Sequence, residues 1–253
     1  MTPSSLWFYF SATRSDRKRD AAIPLPSGVT EYRNIAYGSH GEDNLLDVYL
    51  PEGTAASLPT IVSIHGGGYV YGTKEIYRRY GMDMAKRGFA FVNFNYRKAP
   101  KWKFPTPLAD TNAVMEWVVQ NAYRYQLDPE RIIVLGDSAG AQMTSQYAAM
   151  LTNPQYGKLF GLKLPKITIR AVGLNCGLYD LKEMGAAPRK GMHKDYFGRI
   201  PADDPRFCCL ESITADFPLF LGSSPSGHRM ASMLSGITSW GPKTRRQAVV
   251  FQN

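Results

Sequence analysis

The chain has 253 residues, 44% of them hydrophobic and 20% charged, an ordinary globular balance with enough length to bury a sizeable core. No internal repeat or low-complexity tract is present, so a repeat array and a disordered chain are excluded. The formal net charge of +9 is carried largely by the two ends, in Arg14, Arg17, Lys18 and Arg19 and in Arg229, Lys243, Arg245 and Arg246. No nucleic-acid motif accompanies either group, so no nucleic-acid partner is expected.

Leu6 to Phe10 is an apolar run far too short to span a membrane. It also lacks the basic flank and cleavage site of a signal peptide. It is expected to be a hydrophobic flap packed on the body, with no membrane partner. Glu31 to Tyr37 and Asn44 to Leu50 read as strands joined by a turn through Gly38 and Gly41. Pro59 to His65 is a continuous apolar run, as in a strand buried on both faces. Lys74 to Arg87 fits a helix stopped at Gly88, and Phe89 to Tyr96 fits a strand. Pro107 to Ala122 is a helix with Val114, Trp117 and Val118 on one face. Arg131 to Gly136 is a strand, Ala139 to Leu151 a helix, and Ile169 to Cys176 the next strand. Tyr179 to Leu210 breaks this rhythm and reads as an insertion over the sheet. Phe217 to Leu221 is a shorter strand, and Ala248 to Phe251 is a possible last one. Alternation of apolar strands with helices implies an α/β fold, a mostly parallel central sheet flanked by helices. One domain over 1–253 is expected, with an N-terminal flap (1–30), a lid-like insertion (179–210) and an atypical tail (223–253).

Cys176, Cys208 and Cys209 make no disulfide framework, and no Cys/His spacing suits a metal. Cys176 is expected to be a buried core thiol, and a reduced, cytoplasmic setting is the default. No metal and no cofactor is expected.

Two motifs carry chemistry. Gly136-Asp137-Ser138-Ala139-Gly140 follows a strand and opens a helix, the context of a nucleophile elbow. His65-Gly66-Gly67-Gly68 follows another strand and suits a loop of oxyanion donors. A serine hydroxyl needs a base and preorganised donors to attack a carbonyl. Ser138 is therefore the candidate nucleophile, with the N–H groups of Gly66, Gly67 and Ala139 as the oxyanion hole. His65 and Gly68 are expected to support the loop, His65 by pinning it rather than by acting as base.

These stretches, with Asn95-Tyr96-Arg97-Lys98-Ala99-Pro100 and Phe104-Pro105-Thr106-Pro107-Leu108-Ala109-Asp110, resemble the hormone-sensitive-lipase-like carboxylesterases of the α/β-hydrolase superfamily. The resemblance runs from about Glu31 to Leu221. It implies an α/β-hydrolase fold, no cofactor, and hydrolysis of small, short-chain acyl esters through an acyl-enzyme at Ser138. Oligomeric state does not follow from it.

The family order places an acid after the seventh strand and a histidine after the eighth. Here Gly222 to Arg229 holds no Asp or Glu, and only His193 and His228 follow Ser138. His228 and Asp180 are the remaining candidates for base and acid. They read more readily as a tail histidine and a structural carboxylate, as does Asp216. The text after Gly222 looks replaced, so a truncated or frame-shifted ending is expected, with the closing strand and helix missing. Two alternatives stay open: a catalytically impaired pseudoenzyme or acyl-pocket binding protein, and an amidase or arylformamidase.

Overall fold

The longest apolar runs of the sequence become its central strands. The computed structural model describes residues 1–21, 24–181, 189–223 and 248–251. Strand β3 (Leu58–Ile64) and strand β4 (Ala90–Phe94) are buried on both faces, which is why neither shows the alternation of a half-exposed strand. Around them lie β1 (Val29–Ala36), β2 (Leu45–Pro51), β5 (Leu127–Asp137), β6 (Ile169–Asn175), β7 (Leu219–Ser223) and β8 (Ala248–Phe251). The sheet order is β1-β2-β4-β3-β5-β6-β7-β8. β1 and β2 pair antiparallel, as do β2 and β4, and every pairing from β4 to β8 is parallel.

Chain direction decides which face each helix covers. From β3 the chain steps back to β4, and from β4 and β5 it steps forward to β5 and β6. Right-handed crossovers then send the intervening helices to opposite faces. Helix α2 (Arg78–Ala85) buries Met82 and Ala85 against Tyr49, Ile61 and Phe91 on one face. Helices α3 (Thr106–Asn121) and α4 (Ala139–Thr152) pack on the other, where Val62, Val134 and Val172 meet Val114, Val118 and Met143. A short α5 (Pro154–Lys158) follows, its N-terminus capped by the Asn153 side chain. Among the described residues no helix is long and apolar enough to cross a membrane.

Several elements depart from the sequence reading. The helix expected from Lys74 begins as a 3-10 turn, Lys74–Tyr77, and becomes α-helical only at Arg78. Lys74 is held by tertiary partners: its N–H donates to Asn95 Oδ1 (2.7 Å), its carbonyl accepts from Asn93 Nδ2 (2.7 Å), and its buried ammonium pairs with Asp47 (2.9 Å). The N-terminal flap is a helix, α1 (Pro3–Ala21), and the insertion contains α6 (Gly191–Phe197). Cys176 is exposed rather than buried, because it lies past the last paired residue of β6, in a left-handed backbone conformation at φ +54°. The last strand expected to be missing is present as β8, which pairs parallel with β7 through Phe220 and Ala248. Parallel pairing lets this short apolar segment satisfy its backbone against β7. The rest of the expected tail lies outside the described residues.

Candidate active site

Register brings the two motifs together. Ile64 of β3 pairs with Gly136 of β5, so the residues that follow, His65-Gly66 and Asp137-Ser138, emerge side by side at one edge of the sheet. Ser138 sits at φ +50°, ψ −115° between β5 and the first turn of α4, and its side chain is exposed. Its N–H donates to the Asn175 carbonyl (2.7 Å), and its carbonyl accepts the N–H of Gln142 (3.1 Å). A non-glycine residue is strained there, and neighbours on both sides hold it in place. Gly140 is required by the close approach of α4 to β3: a Cβ on it would overlap the Ile64 carbonyl oxygen.

The loop after β3 is fixed by its first residue. His65 is buried, and its Nδ1 bonds the Gly66 carbonyl (2.7 Å). Its ring stacks on Tyr96 with centroids 4.2 Å apart, and the Tyr96 hydroxyl donates to the His65 carbonyl (3.0 Å). Burial, reinforced by the nearby Lys98 ammonium, lowers the His65 pKa to about 3, so the ring is neutral at physiological pH. Gly67 turns the chain at φ +114°, and its carbonyl accepts from the N–H groups of Val70 (3.1 Å) and Tyr71 (3.0 Å). Met192 of α6 lies over Gly68, in the space a side chain there would fill.

Asp137, the unnamed middle residue of the elbow motif, joins the two motifs. Its Oδ1 accepts the Gly66 N–H (2.9 Å) and the Tyr77 hydroxyl. Burial raises its pKa, and those two donors oppose the shift by stabilising the carboxylate. This corrects the expectation for Gly66, whose N–H already has a charged acceptor and is not open to an oxyanion. Among the described residues no acceptor is found for the Gly67 and Gly68 amides. Ala139 N–H belongs to the unsatisfied first turn of α4, beside Ser138.

Among the described residues, the other candidates share no hydrogen bond with Ser138 or Asp137. Asp180 is half-buried in the chain leaving β6 and takes no part in the hydrogen bonds just described, and Asp216 is exposed. His228 lies outside the described residues. Among the described residues, none of His40, His65 and His193 shares a hydrogen bond with Ser138. His40 faces Arg97 (3.1 Å), and the His193 ring lies 6.3 Å from that of Phe197. A cavity of about 200 Å³ lined by Ser63, Tyr77, Tyr80, Leu135, Gly136, Asp137 and Asn175 opens behind Asp137 without including Ser138. Sequence reasoning missed Asp137, Tyr77 and Tyr96 as site residues. The resemblance-bearing run from Tyr96 to Asp110 held one signal: Arg97 and Asp110 form a salt bridge (2.6 Å) that fixes the chain just beyond Tyr96.

A parallel sheet with this helix placement, and an elbow at the end of β5, define the α/β-hydrolase fold. The esterase B structures from Lactobacillus rhamnosis share that fold. The C6-C4 SN3 inhibited form superposes over 96% of this chain and 81% of its own with a TM-score of 0.79 at 19% identity. The chain belongs to the BD-FAE family, whose sequence profile matches residues 46–212. That bears out the family expectation drawn from the motifs. Similar proteins include an ethyl acetate hydrolase of Pseudomonas putida, 28% identical over 182 residues, 69% of this chain and 54% of that protein. The carboxylesterase NlhH of Mycobacterium tuberculosis is 34% identical over 131 residues, 50% of this chain and 40% of that protein. The chain spans about half the length of the curated relatives it matches, from 41% to 54% of the first four.

Proposed function

We propose that this protein is a serine hydrolase that cleaves short-chain carboxylic esters through an acyl-enzyme at Ser138. The observation that carries this reading is the placement of Ser138: exposed, strained at φ +50°, at the N-terminus of α4 and beside the Gly67–Gly68 turn. Family membership and relatives named as an ethyl acetate hydrolase and a carboxylesterase support it.

In this reading Ser138 Oγ attacks the ester carbonyl carbon and gives its proton to a base. The carbonyl oxygen takes the negative charge and is held by Ala139 N–H and by the Gly67 and Gly68 amides, with the N-terminal end of α4 behind them. Collapse breaks the acyl–oxygen bond, and the leaving alkoxide takes the proton as alcohol. Water then attacks the acyl-enzyme by the same route, releasing the acid and restoring Ser138. Asp137 and His65 touch no substrate and position the loop. His228 is the proposed base and Asp180 the proposed acid. Cys176, Cys208 and Cys209 form no disulfide, which supports a reducing, cytoplasmic setting.

The test is hydrolysis of p-nitrophenyl acetate by the full chain, with Ser138→Ala, His228→Ala and Asp180→Asn beside it. Loss of turnover in Ser138→Ala by roughly 10³-fold or more is expected. Equal loss in His228→Ala assigns the base. Background turnover in the folded wild type would replace this reading with that of a binding protein on a hydrolase scaffold.

A further inference from the structure

Helix α1 has two faces with different surroundings. Its inward face is tied to the body next to the candidate site. Phe8 and Tyr9 meet the Tyr71 ring at 6.1 and 5.4 Å, and the Tyr71 hydroxyl donates to Asp16 (2.7 Å). The Thr2 N–H donates to Asp195 of α6 (2.9 Å). The outward side of its N-terminal turns is apolar and uncovered: Leu6 is 47% exposed, Trp7 73% and Phe10 64%. Helical spacing continues that stripe from Trp7 and Phe10 into Arg14 and Lys18, both exposed. The helix carries four cations, at positions 14, 17, 18 and 19, against two acids. One of those acids, Asp16, is turned inward onto Tyr71.

We propose that the exposed side of α1 docks on an anionic phospholipid bilayer without spanning it, Leu6, Trp7 and Phe10 of its first turns entering the interface and Arg14 and Lys18 of its later turns meeting headgroups. Two observations choose this occupant. Trp and Phe beside long cationic side chains match the amphipathic boundary between acyl chains and headgroups, where aromatic rings insert and cations reach phosphate and serine. The charge is complementary: the face presents cations and turns its described acid inward, and the whole chain carries +9. The docked helix leans on Tyr71 and α6, so a bilayer on α1 lies close to the mouth of the site.

Co-sedimentation of the full chain tests this, using vesicles of phosphatidylcholine alone and of phosphatidylcholine mixed with phosphatidylserine. The wild type and Ser138→Ala should pellet with the mixed vesicles, stay largely in solution with the neutral ones, and dissociate as salt is added. Trp7→Ser/Phe10→Ser should lose roughly tenfold or more in partitioning. Arg14→Glu/Lys18→Glu should lose roughly fivefold or more for each cation replaced, on mixed vesicles only. All of these residues are exposed, so melts followed by circular dichroism should be unchanged. A folded wild type that stays in solution with mixed vesicles overturns the proposal. If size-exclusion chromatography then shows a dimer that Trp7→Ser/Phe10→Ser converts to monomer, the face belongs to a second copy. Binding that ignores phosphatidylserine, or that both variants retain, overturns it equally.

Discussion

Ser138 holds a backbone conformation that costs a non-glycine residue about 1–3 kcal/mol, and a Cβ is the source of that cost. Ser138→Ala keeps the Cβ and the strain, whereas Ser138→Gly relieves it. Both should be inactive, and Ser138→Gly should unfold at the higher denaturant concentration, a difference that equilibrium urea titration measures. Gly140 faces the opposite constraint, because a methyl group there meets backbone that cannot move aside. Gly140→Ala should cost about 3 kcal/mol by the same titration. Asp137 acts through Gly66. Asp137→Ala leaves the loop without its charged acceptor and should lower kcat roughly 10- to 100-fold with little change in KM. Asp137→Asn keeps one acceptor oxygen and should recover part of that loss. The two glycine-bearing motifs were legible in the sequence because chain chemistry at an elbow is local. The role of Asp137 was not, because its two donors arrive from the loop after β3 and from the Lys74–Tyr77 turn, far away along the chain.

At the scale of elements, legibility followed the range of the forces. Apolar runs such as Thr60 to Ile64 and Ala90 to Phe94 are strands wherever they are buried on both faces, and they were read correctly. Lys74 was read as the start of a helix, since nothing in its neighbourhood announces the buried Asp47 that pairs with it. That pair joins the 3-10 turn to β2, and Tyr49 donates to the same carboxylate (3.0 Å). Lys74→Met leaves Asp47 to Arg33 (3.4 Å) and to the Asn34 N–H (2.7 Å), and should destabilise the protein, measured by chemical denaturation. A control restoring the balance, Asp47→Asn with Lys74→Met, should recover part of the loss. Helix α1 was read as a flap because five successive apolar residues suggest burial. On a helix they cannot all face the body, so Phe8 turns inward while Leu6, Trp7 and Phe10 remain outside.

For the whole molecule, one buried histidine gives a pH signature. The His65 pKa falls from an ordinary 6.5 to about 3 on folding. Its contribution to stability is therefore fully present above 6.5 and is lost as pH falls through that window towards 3, because the unfolded chain takes up the proton first. The slope from this group is at most about 1.4 kcal/mol per pH unit. Denaturation curves of His65→Asn should show a flatter fall across that range than the wild type. A mostly parallel sheet with helices on its faces was predictable from alternation and handedness, whereas the order of its strands was not. The pairing of β8 was not, since so short a segment carries no periodicity of its own. Hydrolysis in this reading turns on one oxygen atom, Ser138 Oγ, which covalent capture identifies. The full chain is treated with a p-nitrophenyl phosphonate ester, then weighed intact and mapped by peptide mass. A single adduct on the peptide containing Ser138 is expected, with release of p-nitrophenolate and no adduct in Ser138→Ala. An unmodified wild type, or an adduct that persists in Ser138→Ala, would contradict it.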